Sequence, residues 1–438
     1  LVSEVSGDRS KAIQKYLHTH CEVQARSLSI PPEYIWDLAI VLPLFDESRM
    51  IAGFTESLLR ITKSELRPVL IAVINGKLSD DFSIKQSNHH CFDYLCRMGE
   101  CVALSDDITL LKCQYFDILI VDCFREHRAF DDRQGVGLAR KIGCDIAFTL
   151  WHRGQVRSPW IRTTDADVRL SEDYLDEHLA ENTDLIVENF IHKPQDDTAK
   201  SWLALKVYDD WLRYYEAGLR YAESPYGWQT VGSTITVHAS AYAAVRGFPK
   251  RLAGEDFYLI NKILKIGSVS SSKKSPITIL DRPSARVPFG TGTAVSRLES
   301  YQSIDTEFLF YHPESFRKLR SFLRYFPKWY DAPQQSGTDY ARILDRRHDD
   351  PSTIELEDAV QQIRTQSPHP KHFIRSLHEY FDGLKTLQFV HYLRDHHQAG
   401  LCHRELFAGK DPGFLSGRTL EPAEFESIIS RDCLNAHD

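Results

Sequence analysis

A chain of 438 residues is long enough for two or three compact units, and 42% hydrophobic with 26% charged residues excludes a disordered polymer. The formal net charge of −8 argues against a nucleic-acid binder, whose domain carries a basic field. No apolar run approaches the roughly 20 residues that cross a bilayer, so no transmembrane segment is expected.

Nine cysteines are scattered without a C-x-x-C pair, which speaks against a zinc ribbon. Several lie in apolar runs, such as Cys123 in ILIVDCF, and buried free thiols in a reducing compartment are expected. The first twenty residues are polar and mixed in charge, unlike a secretory leader. The expected location is cytoplasmic, with peripheral attachment to a membrane left open.

In chain order, residues 1–33 read as a helix closed by Pro31 and Pro32. Residues 37–44 (DLAIVLPL) read as a strand and 49–62 as a helix. A second strand, 68–74 (PVLIAVI), ends at the Asn75-Gly76 turn, and 115–121 (YFDILIV) is a third. GVGLARKIGCDIAF is helical, and the strand 160–164 runs into Asp165. Residues 184–191 (DLIVENFI) form a further strand. Strands that are apolar along their whole length predict a parallel sheet covered on both faces. The helix at 201–223 carries Trp and Tyr at helical spacing; packing is the expected role, and a sugar-stacking platform the lesser one. Beyond about residue 300, Pro- and Ser-rich breaks (DAPQQSG, TQSPHP) separate helical segments. The fold class is α/β, with a mixed, mainly parallel sheet sandwiched by helices. The expected units are 1–33, 34–300 and a helical 301–438.

Two acidic pairs carry the candidate chemistry. Asp165 and Asp167, in TTDADV, follow a predicted strand, and ligands of open α/β sheets bind outside the carboxyl ends of strands. Carboxylates one residue apart can converge on Mg²⁺ or Mn²⁺, which shares its ligands with substrate phosphates. Glu255 and Asp256, in RLAGEDFYLINKILKIG, precede an amphipathic helix. By themselves they read as first-turn acids that answer the helix dipole. A carboxylate there can also take the proton of an attacking hydroxyl. Asn75 is turn chemistry, and at a strand's end it can hydrogen-bond a nucleobase.

Taken in order, these segments resemble family 2 glycosyltransferases. VLPLFDES is similar to that family's opening strand and LIAVINGKLSDD to its nucleotide turn. GVGLARKIGCDIAF is similar to its Arg-containing helix and TTDADV to its D-x-D element. GSTITVHASAYAAVRGFPKRLAGEDFYLINKILKIG is similar to its acceptor-side segment. The five elements span roughly residues 38–267.

The resemblance implies a GT-A fold and transfer of a sugar from a nucleotide-diphosphate sugar to an acceptor hydroxyl. It implies inversion by direct displacement with Mn²⁺ or Mg²⁺ as cofactor. Pro43 and Asn75 would line the nucleotide pocket. Asp165 would face the ribose or the metal, and Asp167 would bind the metal. Asp256 would be the base with Glu255 beside it, and Arg140 would lie near the diphosphate or support the Asp165 loop. The chain departs from the family at Phe45-Asp46, Lys141, Arg246 and His238, which bears on donor base and acceptor rather than on fold. No Q-x-x-R-W follows the acidic pair, so single-sugar transfer is expected rather than polymer synthesis.

Residues 281–297 hold Arg282, Arg286 and Arg297 among glycines, and read either as a loop closing over the donor diphosphate or as an ordinary surface connection into the C-terminal region. His127, His396, His397 and His403 read as surface residues. The expected partners are a nucleotide-sugar donor and an acceptor that is a glycan, a lipid-linked molecule or a small molecule. A homodimer is open. Two other readings stand beside this one: a sugar-phosphate nucleotidyltransferase, disfavoured because no glycine-rich loop follows the first strand, and a GT-A-fold interaction protein without turnover.

Overall fold

The computed structural model describes every residue except 1, 63–65, 177–181, 196, 282–290, 332–350, 416–417, 419 and 436–438. The chain divides into two compact units, residues 1–202 with 230–296, and residues 203–229 with 297–438.

The first unit is built on a nine-stranded sheet. Its centre is β1 (Leu38–Leu44), β2 (Pro68–Asn75), β5 (Asp117–Cys123) and β6 (Trp160–Thr163), all parallel. Every residue of β1, β2 and β5 is buried, as their unbroken apolar runs require. Antiparallel pairs flank this centre on both sides. The hairpin of β3 (Glu100–Ala103) and β4 (Ile108–Lys112) edges β5, and β10 (Ile235–His238) runs between β6 and β8 (Leu185–Val187). The short strand Val269–Ser271 closes the far edge beside β8. The predicted mixed α/β sheet is therefore what the chain forms.

Residues 184–191, expected as one strand, split at Glu188-Asn189. The Glu188 amide donates to Thr234 O (2.7 Å), and the Asn189 amide group donates to Ser272 O and Lys274 O. These bonds turn the chain out of the large sheet into a second one. There β9 (Phe190–Pro194) pairs with β12 (Ile277–Asp281), which also pairs with β7 (Val168–Arg169).

The predicted 1–33 helix is two, α1 (Val2–Thr19) and α2 (Val23–Ser27). The break has a cause: the Glu22 amide donates to the buried Asp145 carboxylate at 2.7 Å instead of continuing the helix. The helix α3 (Ile51–Ile61) follows β1, as expected, and α4 (Phe82–Cys96) follows β2. The sequence reading did not find α4, whose residues FSIKQSNHHCFDYLC show little apolar periodicity.

The helix α5 (Val136–His152) lies against β1 and β2, buried at every position from 137 to 150. Gly143 permits the approach, since a Cβ there would stand 2.4 Å from Val41 Cγ1. This unit also holds α7 (Ala239–Ala244), α8 (Glu255–Ile266) and most of the helix Thr291–Glu299. The long helix α6 (Ala199–Tyr221) begins in the first unit and lies mostly in the second.

The second unit is mainly helical, with an aromatic core. Tyr214 of α6 packs on Phe310, Phe316, Phe407 and Phe425 at centroid distances of 5.2–5.9 Å. Ring packing of this kind adds about 0.5–1.5 kcal/mol per pair beyond area burial. His403, expected at the surface, is instead buried: its Nε2 stands 2.8 Å from Asp210, which also accepts from the Gly413 and Leu415 amides. His396, His397 and His127 are exposed, as expected. Among the described residues no helix is long and apolar enough to cross a membrane.

Cys21, Cys91, Cys96, Cys101, Cys113, Cys123, Cys144 and Cys402 are free thiols. Five are buried, whereas Cys101 is exposed and Cys96 and Cys113 are half-buried. Burial pushes the Cys21 and Cys91 thiols up to about 12, so they stay protonated.

Candidate active site

The carboxyl ends of β1, β2 and β6 open onto a cleft of about 440 Å³ within the first unit, a size suited to a small-molecule ligand. Pro43, Asn75, Arg140, Asp165 and Asp167 all line it. Arg282 and Arg286 lie outside the described residues, although Asp281 and Thr291 on either side of them line the cleft.

Arg140 organises one wall. It projects from the first turns of α5, and its side chain is only 5% exposed. One terminal nitrogen, Nη2, donates to both oxygens of Asp165 at 2.8 and 3.0 Å. Nε donates to Glu255 Oε1 at 2.7 Å, and Nη1 to Gly232 O at 2.9 Å. Gly232 leaves the space: a Cβ there would stand 2.5 Å from the guanidinium. Burial opposes the guanidinium's charge, but Asp165 and Glu255 overcome it and hold Arg140 protonated. Arg140 is therefore committed to the acidic turn and to the start of α8.

Glu255 is 3% exposed and faces this guanidinium. Asp256 is half-buried and is not among the residues that line the cleft. Gly254 before it takes a left-handed φ of +74°, which starts α8 abruptly and places both acids in its first turn. Burial raises the Asp256 carboxyl to about 7, helped by the charges of Glu255 and Asp165 and opposed by Arg140. A carboxylate that titrates near neutrality is poised for proton transfer.

The D-A-D turn is pinned from two sides. Asp167 O accepts from Leu280 N at 2.9 Å, and Arg169 donates to Val168 O at 3.0 Å. Arg169 lies across α3 where Gly53 leaves room; a Cβ would stand 2.1 Å from its Nη2. The carboxylates of Asp165 and Asp167 are hard oxygen donors on one cleft. Among the described residues no group of three His, Cys, Asp or Glu side chains closes on a single point. The residues present suit Mg²⁺ or Mn²⁺, which completes its shell with substrate phosphate and water. They suit a protein-only cage less well.

Where β1 and β2 end, the lining is mixed: Phe45 and Asn75 sit beside the charged Glu47 and Lys77. The Asn75 side-chain oxygen is buried and has no hydrogen-bond partner among the described residues. Sequence reasoning did not single out Glu47, Lys77, Leu252 or Asp281. Asp281 carried a faint signal, as a lone acid at the end of an alternating strand. Leu252 is 49% exposed on the cleft, and only its place before the GED turn marked it.

The departures from the family pattern have local reasons. His238 caps α7, accepting from Ser240 N. Arg246 stands in the left-handed region at φ +64°, next to Gly247 at +66°, so a glycine there would be unstrained. Lys141 turns away from the cleft into a buried pair with Asp145.

The sequence matches no family model, and no curated protein matches it. Several solved structures resemble the chain trace. S. aureus TarS 1-349 in complex with UDP-GlcNAc is 11% identical over 79% of this chain and 91% of that one, at a TM-score of 0.36. The mannosyltransferase PcManGT from Pyrobaculum calidifontis, in complex with GDP-Man and Mn²⁺, is 10% identical over 99% and 97%, at 0.34. GalNAc-T7 with UDP, GalNAc and Mn²⁺ is 12% identical over 77% and 59%, at 0.33. Superpositions this loose leave the site to be read from the chain's own side chains.

Proposed function

We propose that this chain is a GT-A-type glycosyltransferase that moves one sugar from a nucleotide-diphosphate sugar to an acceptor hydroxyl, with inversion. The observation that carries the proposal is the buried Arg140 guanidinium. It hydrogen-bonds Asp165 of the acidic turn and Glu255 of the acidic helix start at once. Two acidic motifs 90 residues apart in sequence are thereby joined through Arg140, which lines the cleft together with Asp165 and Asp167.

In this reading Pro43, Phe45 and Asn75 receive the nucleoside, the unpartnered Asn75 oxygen accepting from an N–H of the base. Asp167, with Asp165 behind it, would hold Mn²⁺ or Mg²⁺, which when bound offsets the charge of the departing diphosphate. Asp256 takes the proton of the acceptor hydroxyl as its oxygen attacks the anomeric carbon and the bond to the diphosphate breaks. One base suffices for direct displacement. Glu255, spent on Arg140, positions the turn rather than accepting the proton.

The test is a thermal-shift screen of UDP-, GDP-, CMP- and dTDP-sugars with and without Mn²⁺. A donor at about 100 times its dissociation constant adds about 2.7 kcal/mol of stability. The expected shift needs metal and is lost in Asp167→Ala. Asp256→Ala should bind donor and fail to transfer sugar. The absence of any donor-dependent shift in the unaltered protein would overturn the reading.

A further inference from the structure

One side chain outside the cleft joins the two strand exits that bring Phe45 and Asn75 to it. Asn88 of α4 is 1% exposed. Its side-chain oxygen accepts from the Asp46 amide at 3.0 Å, and its Nδ2 donates to the Asn75 carbonyl at 3.0 Å. Asp46 follows β1 between Phe45 and Glu47, both of which line the cleft. Asn75 ends β2, the parallel neighbour of β1. One amide therefore ties the backbone just after Phe45 to the backbone of Asn75.

The neighbouring structure needs this bridge. Asp46 sits at φ +58°, a left-handed conformation uncommon outside glycine, although aspartate tolerates it better than most residues, and hydrogen bonds to its neighbours help fix it. Its backbone N–H bond to Asn88 is one such restraint. Ser87 adds a second: its hydroxyl accepts from Ser48 N at 3.3 Å and donates to Ser48 Oγ at 2.8 Å. Gly76 clears the path, since a Cβ there would stand 2.9 Å from Asn88 Nδ2. Among side chains of this size only a primary amide donates and accepts from one planar group. An aspartate keeps the acceptor and turns a bare oxygen toward the Asn75 carbonyl.

We propose that Asn88 is a positioning residue for nucleobase recognition, setting the spacing between the Phe45 ring and the Asn75 side chain without touching the ligand. The proposal rests on the nucleotide-sugar reading of the cleft. It goes further by separating the base end from the diphosphate end, which Asn88 does not approach through any of these bonds.

The test is calorimetric binding of UDP, GDP, CMP and dTDP in the presence of Mn²⁺, and of Mn²⁺ with inorganic pyrophosphate. The proteins are the unaltered chain and the variants Asn88→Asp and Ser87→Ala. Asn88→Asp should weaken the preferred nucleotide by about tenfold, the effect of one lost buried hydrogen bond, and leave pyrophosphate within about twofold. In turnover, donor KM should rise with kcat kept. Ser87→Ala, the milder change, should weaken the nucleotide by about threefold with the same indifference to pyrophosphate. The proposal is overturned if nucleotide affinity is unchanged in both variants, or if nucleotide and pyrophosphate weaken together. If the unaltered chain binds no nucleotide, the glycosyltransferase reading itself falls and this one with it. If it binds nucleotide and the variants bind equally well, only the role of Asn88 falls.

Discussion

Two consecutive cations of α5, Arg140 and Lys141, are 4% and 3% exposed, and each is met by carboxylates, yet their surroundings differ in kind. Arg140 binds Asp165, whose side chain is 30% exposed on the cleft. Lys141 binds Asp145, which is 0% exposed and also accepts from Tyr16 and Tyr242. Burial drives the Asp145 carboxyl up, against the pull of Lys141 and Tyr16. This second network is sealed and fastens the N-terminal helices to α5: Tyr16 comes from α1, and Glu22 N donates to the same carboxylate. A buried ion pair alone thus says little about function. What separates the two is whether a partner carboxylate reaches a cavity.

The largest expected effect tests the sealed side. Lys141→Met leaves Asp145 buried without its cation, which should cost about 3–5 kcal/mol in urea unfolding. Transfer activity per folded molecule should be kept, and lost activity at unchanged stability would erase the distinction. On the open side the pattern should reverse. Arg140→Lys keeps a charge but not a planar group that reaches Asp165, Glu255 and Gly232 together. Transfer should fall by about 10²-fold with a smaller loss of stability, because the acidic turn shifts.

The third expectation concerns pH. Transfer should rise about tenfold per pH unit up to the Asp256 value of about 7 and then level off. For stability the sign is opposite. The folded state holds this proton more tightly than the unfolded one, so the Asp256 contribution falls as pH rises from about 4 to about 7. Asp256→Asn should remove that slope from the urea midpoints, and a slope that survives would mean another group carries it. The smallest effect is expected at Arg246, on the loop between α7 and α8. Arg246→Gly should add about 1 kcal/mol by relieving a left-handed backbone, measured as a higher melting temperature.

Much of the cleft was legible in the sequence where the chemistry is local. Asn75 marks the end of an apolar run, and a strand that is apolar throughout is buried wherever it lies in a sheet; Asp165 was visible as one of two acids just past the short strand WIRT. The acidic residues at 255 and 256 were visible because a glycine and an amphipathic helix bracket them. Arg140 was visible only as a position in a familiar helix; its partners lie 25 and 115 residues away.

The sequence by itself determined which segments are buried strands of the central sheet, because hydrophobic burial follows from residue type and spacing within each segment. Only the tertiary structure decided which buried polar groups meet: Asn88 between two strand exits, His403 with Asp210 across 193 residues, and residues 203–229 joined to the C-terminal unit. A hydrogen bond needs two groups at one point and one orientation, and no pattern along the chain encodes that meeting until the chain has folded.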